Sequence, residues 1–502
     1  MYNETAREVW TRLAALKQPL MDRVERYASL TIPKIMLPDG FQPESTDQTH
    51  DFQSLGAQAV NHVVNKLVMA LFRPSQPFFR LQVGDKTKAE LAAAGITEPE
   101  IASALSETER NACRELDGLA QRPKLYLLAR HLVVTGNVLV EFKDDALRVV
   151  GLRYWCVKRN LDGSVNTLVI REKVKFDELA PEVQQAMPPG RYQPETEVEF
   201  FRMLKRDSRG DMHLTQWVDD IRLPKQFNGK WKASEAPYRV ITWDLADESD
   251  YGTGLVEEYA GDFEALSVLA EAVVDGAVLG CEFRWLVNPS GQTSADDFNS
   301  SKNGDALSGV PTDIQPTQGG NPNAVKIALE VASSYEQRIA RGFLMSSGMT
   351  RDAERVTAEE IRLVANELET SFGGVYSALA ANIQEPVARW LLDRVGASIK
   401  GKDLRVMVVS GLDALSRNSD LEALRLALGD LAQIATLPPE LQQRLDMAAL
   451  AAFIGQGRGV ALEKFLKSEE QVQQEIQQQR EANVAEQSAI AAGEAAAQQG
   501  VE

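Results

Sequence analysis

Apolar positions recur at helical spacing through much of the first 135 residues. Between Asp51 and Phe72, the side chains of Phe52, Leu55, Ala59, Val63, Leu67 and Ala70 fall on one stripe, and Pro74 closes the segment. Thr97-Glu98-Pro99-Glu100 reads as a capping box with a proline in the first turn. It opens a predicted helix with Ile101, Leu105, Ala112, Leu116 and Leu119 on its inner face. A third helix is predicted from Pro123 to Val134, ending at Gly136-Asn137.

The period then changes to two. Val138–Phe142, Leu147–Leu152 and Tyr154–Arg159 are short β-rich runs, and Asp162-Gly163 signals a turn before Val165–Val174. Asp207-Ser208-Arg209-Gly210 joins Glu197–Lys205 to Met212–Ile221 as a hairpin, and Tyr238–Trp243 is the last strand. Residues 138–245 are therefore expected to form a mostly antiparallel sheet region set among helices, which makes the fold class a mostly helical α+β.

Helical spacing returns from Gly254 to about Gly280 and resumes from about Asn323 to Phe343. Between them, residues 284–323 carry Asn288-Pro289, Gly291, Gly304, Gly309-Val310-Pro311, Pro316, Gly319-Gly320 and Pro322. So long a stretch without helical pattern is expected to be a projecting module or functional loop, ordered mainly through contacts with other chains. After a gap at 344–356, Thr357-Ala358-Glu359-Glu360 is a second capping box. Ile361, Val364, Leu368, Phe372, Val375, Leu379 and Ile383 then keep one face apolar through Gly373-Gly374 as far as Pro386. Glycine costs a helix about 1 kcal/mol and an interior proline kinks it. One long helix is thus expected, bent at Gly373, Gly374 and Pro386 or closely packed at the glycine pair. A strand is expected at Arg405–Val409, and helices from Ser419-Asp420-Leu421-Glu422 to Pro438-Pro439 and over Leu441–Phe453. The Gln- and Ala-rich stretch 471–502 has too few large apolar residues for a core and is expected to be partly disordered.

Composition narrows the function. A chain of 502 residues suggests roughly three domains. No apolar leader opens it and no apolar run approaches the length of about 18 residues needed to span a membrane, so a cytoplasmic site of synthesis is expected. Cys113, Cys156 and Cys281 are odd in number and far apart, which suggests buried thiols rather than disulfides or a zinc site. The net charge of −18 comes from 54 basic and 72 acidic residues, without a basic block. A tight grip on nucleic acid is disfavoured, whereas a surface that DNA slides past is not.

Catalytic patterns fail in turn. Gly229-Lys230 and Gly401-Lys402 are followed by Trp231 and Asp403, not by the hydroxyl a phosphate loop requires. Gly396-Ala397-Ser398 lacks the closing glycine of a nucleophile elbow. Among His50, His62, His131 and His213 there is no zinc-binding spacing, and His62 and His131 read as packed helix histidines. Asp144-Asp145, Asp219-Asp220 and Asp296-Asp297 could serve a metal-dependent nuclease, but each fits solvated loop charge better. Gly252-Thr253-Gly254 reads as a turn into a helix. No catalytic residue, cofactor or metal ligand is assigned.

Several stretches, taken in order, resemble the portal (head-to-tail connector) proteins of short-tailed, podovirus-type bacteriophages. They are Thr31-Ile32-Pro33 followed by Asp51–Phe72; Leu132-Val133-Val134-Thr135-Gly136-Asn137-Val138-Leu139; Asp250-Tyr251-Gly252-Thr253-Gly254 continuing to Tyr259; Leu286-Val287-Asn288-Pro289; and Arg355–Arg362 continued by Phe372-Gly373-Gly374-Val375-Tyr376. The resemblance spans roughly residues 5–430 and is poorest in 284–323 and after Leu431.

The resemblance implies a dodecameric ring of this chain, with wing, stem, clip and crown regions, through which double-stranded DNA passes during packaging, retention and ejection. It implies a wing at 1–252 and 357–417, stem helices at 253–283 and 324–343, a clip at 284–323 including Asn288, Pro289, Gly309 and Pro311, and a crown at 418–470. The break at 344–356 would place Ser346, Ser347, Gly348, Met349, Thr350, Arg351 and Asp352 in the DNA channel. Implied partners are a terminase, which would hold the ATPase this chain lacks, a tail adaptor, the major capsid and scaffolding proteins, and internal core proteins, with no membrane. A helix-rich scaffolding or tail-adaptor protein is the alternative, but it would not require the sheet region or the ordered motifs.

Overall fold

The computed structural model describes residues 4–38, 41, 51–72, 77–318, 322–345, 358–397, 399 and 403–408, with Gly429 and Leu450. The chain divides into two units, Met1–Gly411 and Leu412–Glu502, and every element below belongs to the first. The helices expected at 419–453 and the stretch 471–502 lie outside the described residues, apart from the two single positions.

Helix α1 (Ala6–Ser29) opens on a capping box in which Thr5 and Glu8 bond each other's backbone N–H. Helix α2 (Leu55–Leu71) follows, then strand β1 (Phe79–Val83) and helices α3 (Asp85–Ala93), α4 (Glu98–Gly118) and α5 (Arg122–Thr135). The capping box expected at Thr97 is present, with the Thr97 N–H donating to Glu100 at 2.9 Å. Next come β2 (Asn137–Phe142), β3 (Leu147–Val150), β4 (Trp155–Arg159), β5 (Val165–Lys175), helix α6 (Pro181–Gln185), β6 (Glu197–Arg206), β7 (Asp211–Val218), β8 (Ile221–Arg222), β9 (Gly229–Lys232) and β10 (Tyr238–Thr242). Every ladder among the described residues is antiparallel. The strands of 138–245 form not one sheet but two, in the orders β10-β2-β3 and β4-β5-β6-β7-β8, with β9 on β7. A single helical turn at Leu152–Tyr154 separates them.

A buried ion cluster joins the two sheets. Arg202 on β6 bonds Glu141 on β2 and Glu172 on β5, the latter at 2.7 Å, and Arg148 on β3 reaches both carboxylates. Burial alone would raise the Glu172 carboxyl, but the bonds and charges of Arg148 and Arg202 outweigh it and hold it below its ordinary range. A carboxyl depressed by folding contributes stability that is fully present above its unfolded pKa, about 4.3 for glutamate, and is lost as pH falls through the folded value. The urea midpoint is therefore expected to fall steeply below about pH 4.3. Arg202→Met should lower it at pH 7 and flatten that acid loss, as equilibrium unfolding at stepped pH would show.

Helix α1 docks on the larger sheet through Lys17, whose buried Nζ donates to the carbonyls of Leu152 (2.9 Å) and Trp155 (2.7 Å). His131 is buried, and desolvation pushes it down to about 4, so it is a neutral core residue. Its Nδ1 has no hydrogen-bond partner among the described residues. Cys156 is buried and Cys113 half-buried, its thiol pushed up to about 11 by desolvation. The expectation of three buried thiols fails at Cys281, which is exposed at the end of a helix.

Beyond α7 (Leu255–Glu258), α8 (Ala260–Cys281) runs out to β11 (Phe283–Val287), the short helix α9 (Ala295–Ser300) and β12 (Ile314–Gln318), and α10 (Pro322–Gly342) returns. The long bent helix expected after Thr357 is instead two helices, α11 (Ala358–Phe372) and α12 (Gly374–Arg394). Gly373, at φ 54° and ψ −137°, breaks the chain there in a conformation open to glycine alone. Close packing at the pair is also absent, since a Cβ at Gly373 or Gly374 would meet nothing within 4 Å. Pro386 lies inside α12, which continues through it to Arg394. The last strand among the described residues, β13 (Leu404–Val408), pairs with β1.

Candidate functional site

Two stretches far apart in sequence meet where the sheets give way to α7 and α8. Gly136 caps α5 at φ 70°, and buried Asn137 both donates to the Gly252 carbonyl (2.7 Å) and accepts from the Gly252 N–H (2.8 Å). A Cβ on Gly136 would stand 2.4 Å from the Thr253 carbonyl carbon and 2.5 Å from the Gly254 nitrogen. The Gly252-Thr253-Gly254 turn is thus a backbone-to-backbone joint that fixes how α7 and α8 leave the sheets.

The helices α8 and α10 pack along their length. Gly276 makes room for Val325, since a Cβ there would fall 2.7 Å from the valine Cγ2. At the base, Phe343 meets Tyr259 and Phe263 edge-on at 5.3 and 5.5 Å, and Arg338 bonds Asp262 at 2.8 Å. Yet the pair buries little of its own apolar surface. Of α8, only Ala260, Phe263 and Leu266 are buried. Val274 and Val278 remain 51% and 58% exposed and Ile327 on α10 is 61% exposed, with Val268, Leu279, Leu329 and Val331 also open. The charges of α8 are all acidic: Asp262, Glu264, Glu271 and Asp275.

The far end of the pair carries its own small fold. Strands β11 and β12 form an antiparallel ribbon from Phe283↔Gln318 to Val287↔Ile314. Trp285 packs edge-on against Phe298 of α9 at 5.3 Å. Buried Asp313 organises the turn beyond: its Oδ2 accepts from the N–H groups of Gln292 (2.9 Å) and Thr293 (3.2 Å) and from the Thr293 hydroxyl (3.2 Å). Three of the four residues singled out in this segment lie about Asp313 and Thr293, although none of them bonds the carboxylate. The Asn288 N–H donates to the Asp313 carbonyl (2.8 Å), Gly309 lies against Thr293, and Pro311 opens the helical turn that ends at Asp313. Pro289 is exposed in the adjoining turn.

At the near end, Leu344 is the point of departure. It adopts φ 57°, unusual for a side chain of its size. Its carbonyl accepts from buried Lys66 Nζ (2.8 Å) and from His62 Nε2 (3.0 Å) on α2, and the same ammonium pairs with Glu367 on α11 at 2.8 Å. Lys66 and Asp313 were missed in sequence. The signal for Lys66 was a cation within the apolar run Val63-Val64-Asn65-Lys66-Leu67-Val68. Residues 346–352, expected to face the channel, lie outside the described residues.

Two of the three acidic pairs serve structural ends. Asp219 and Asp220 both bond Arg7 at 2.9 Å, and Asp296 and Asp297 occupy the first turn of α9, where carboxylates favour the helix dipole. Among the described residues, no group of three or more His, Cys, Asp or Glu could hold a metal ion, and no helix is long and apolar enough to cross a membrane.

The family model described as bacteriophage head to tail connecting protein matches residues 3–465. The chain belongs to this family. Among curated relatives of this connector, the portal protein of Enterobacteria phage SP6 is 30% identical over 483 residues, covering 95% of this chain and 92% of its own. The portal protein of Pseudomonas phage phiKMV is 31% identical over 491 residues, covering 95% and 94%. The portal protein of Escherichia phage T7 is 29% identical, covering 94% and 90%. A solved neck of an empty GTA particle, computed with C6 symmetry, superposes with a TM-score of 0.38 at 12% identity, covering 78% of the connector and 89% of that chain. The connector's role is structural, at the head–tail vertex of a phage particle. The joint at Gly136 and Gly252 unites two of the stretches by which its sequence resembles portals.

Proposed function

We propose that copies of this chain close into a dodecameric ring whose central hole carries double-stranded DNA into the head during packaging, retains it, and releases it at ejection. The observation that carries this reading is the apolar surface left exposed on α8 and α10. Seven valines, leucines and isoleucines stand exposed on two helices that pack on each other, Val274 and Val278 one turn apart on α8, and exposed apolar surface marks contact with another chain. A head-to-tail interface that closes on itself gives a ring. In this reading α8 and α10 are the stem, and the ribbon and turn built on Asp313 are the clip that meets the tail adaptor. Residues 1–252 with α11, α12 and β13 form the wing, and 418–470 the crown. Segment 346–352 faces DNA from between two flanks tied to α2 by Lys66. The acidic balance of the chain avoids a tight hold on phosphates. A terminase supplies the ATP hydrolysis, so the connector itself catalyses nothing. It assembles with scaffolding, major capsid and internal core proteins in the host cytoplasm.

Native mass spectrometry and negative-stain microscopy of the purified chain test the reading. Closed rings with a central hole are expected. A stable monomer or a two-fold dimer at micromolar concentration would overturn it.

A further inference from the structure

The chain holds two Asn-Gly pairs, Asn228-Gly229 and Asn303-Gly304. An asparagine followed by glycine is chemically frail, because the next backbone nitrogen can approach the side-chain carbonyl carbon unhindered by a Cβ. Whether it does so depends on how the fold holds the two residues.

The two pairs are held very differently. Asn228 is extended, at φ −80° and ψ 150°, and leads into β9, where Gly229 pairs with Leu214 of β7. The Trp231 ring lies over the glycine, and a Cβ there would run into the indole. Before the Gly229 nitrogen can swing round, this end of β9 must leave the sheet.

Asn303-Gly304 is the middle of a turn beyond α9. The Asp305 N–H donates to the Lys302 carbonyl (3.0 Å), and the Lys302 N–H donates to the Asp305 carboxylate (2.7 Å). These bonds hold the ends of the turn and leave its centre free. Neither the Asn303 amide nor the Gly304 N–H has a hydrogen-bond partner among the described residues. Gly304 sits at φ 96°, which glycine adopts at no steric cost, and a Cβ there would meet nothing within 4 Å. Residues 302–310 are all exposed, so water and hydroxide reach the turn, and rearranging it breaks no packing.

We propose that Asn303 is a site of spontaneous self-modification, at which the Gly304 nitrogen displaces the side-chain amide and an aspartate or isoaspartate results. Loss of the Gly304 N–H proton frees the nitrogen to attack Asn303 Cγ. A C–N bond forms, the Cγ–Nδ2 bond breaks, and Nδ2 leaves as ammonia with one added proton. Water then opens the cyclic imide. Addition at Cγ gives aspartate, and addition at the Asn303 main-chain carbonyl gives isoaspartate, whose backbone runs through the former side chain. Either product places a full negative charge two residues from Asp305. Because the nitrogen must lose its proton before it attacks, the rate rises with pH. The modification is a property of the single chain. Its consequence for a tail adaptor, a docking surface that changes with the age of the particle, rests on the clip reading given above.

The test therefore uses the purified full chain without a partner, held at mildly alkaline pH. Samples are digested in acid with pepsin and mapped by mass spectrometry, with isoaspartate told from aspartate by retention time. In the folded chain Asn303 is expected to convert at least about ten-fold faster than Asn228, whose strand must open first. In urea the two sites should convert at similar rates, since the sheet that protects Asn228 is gone. Gly304→Val should suppress conversion at Asn303 and leave Asn228 as it was. Should that variant fail to fold by circular dichroism, the comparison of folded and urea-unfolded parent chain decides. Equal rates at the two sites in the folded chain, faster conversion at Asn228, or an Asn303 that persists when folded but converts in urea would each overturn the proposal.

Discussion

Replacing Val274 and Val278 together by glutamate should leave the chain folded and abolish its rings. Both side chains are more than half exposed in the single chain, and substitutions at such positions usually change folding stability by less than about 0.5 kcal/mol. In an assembled ring the same positions would be buried against a neighbour. Burying an unpaired carboxylate costs several kcal/mol, on the order of 3–5 where a partner is missing. Here the helix already carries Asp262, Glu264, Glu271 and Asp275 and no basic residue to offset two more. The penalty recurs at every interface, so closure should fail outright rather than weaken gradually. Native mass spectra should show monomer, with circular dichroism and urea midpoint close to the parent chain. Val274→Leu with Val278→Leu, which keeps the face apolar, should still give rings. If the double glutamate variant assembles normally, the α8 face is not the contact between subunits.

A second substitution should act on the fold itself. Gly136→Val is expected to lose more than about 4 kcal/mol and to accumulate as insoluble protein. The residue sits at φ 70°, where a β-branched side chain is strongly disfavoured. The atoms its Cβ would strike, the Thr253 carbonyl carbon and the Gly254 nitrogen, are backbone and have no rotamer to escape into. Gly163→Ala is the control. Gly163 also has positive φ, 75°, but the nearest atom to its Cβ would be Leu245 Cδ2 at 3.7 Å, so only the conformational penalty of about 1 kcal/mol applies. Urea midpoints of the two variants should therefore differ widely although both replace a left-handed glycine.

The sequence was most legible where a signal is local. The Thr97–Glu100 box, the Asp162-Gly163 turn and the Asp207–Gly210 hairpin each satisfy their own backbone groups within a few residues, and each stands where expected. The division of the sheet region was not legible, because Leu147–Arg159 reads as nearly continuous β pattern. What splits it is a single turn at Leu152–Tyr154 and the ion cluster around Arg202, whose members come from four different strands. The break at Gly373 was hidden by an apolar face that keeps its spacing across it. Strand β1 went unread despite its alternation, Phe79, Leu81 and Val83 inward and Arg80 and Gln82 outward, since five residues with a distant partner carry little pattern. At the candidate site, Asn288, Gly309 and Pro311 were legible as turn formers, but Asp313, whose carbonyl holds Asn288 and whose carboxylate holds Gln292 and Thr293, was not. Asp313 looks like any other loop acid until the fold sets three donors against it.

That distant partner imposes an order on synthesis. Val83 pairs with Leu404 and Phe79 with Val408, so β1 leaves the ribosome long before its complement exists. At roughly 5–20 residues per second, the wait lasts on the order of half a minute. During it, one side of β1 can be occupied by Glu109 of α4, whose carboxylate accepts the Leu81 N–H at 2.7 Å. The other side stays an open edge, the kind of template on which nascent chains aggregate. The first unit is therefore completed only when β13 emerges, and a ribosome stalled shortly before Leu404 should release a chain that holds most of that unit yet is still sticky.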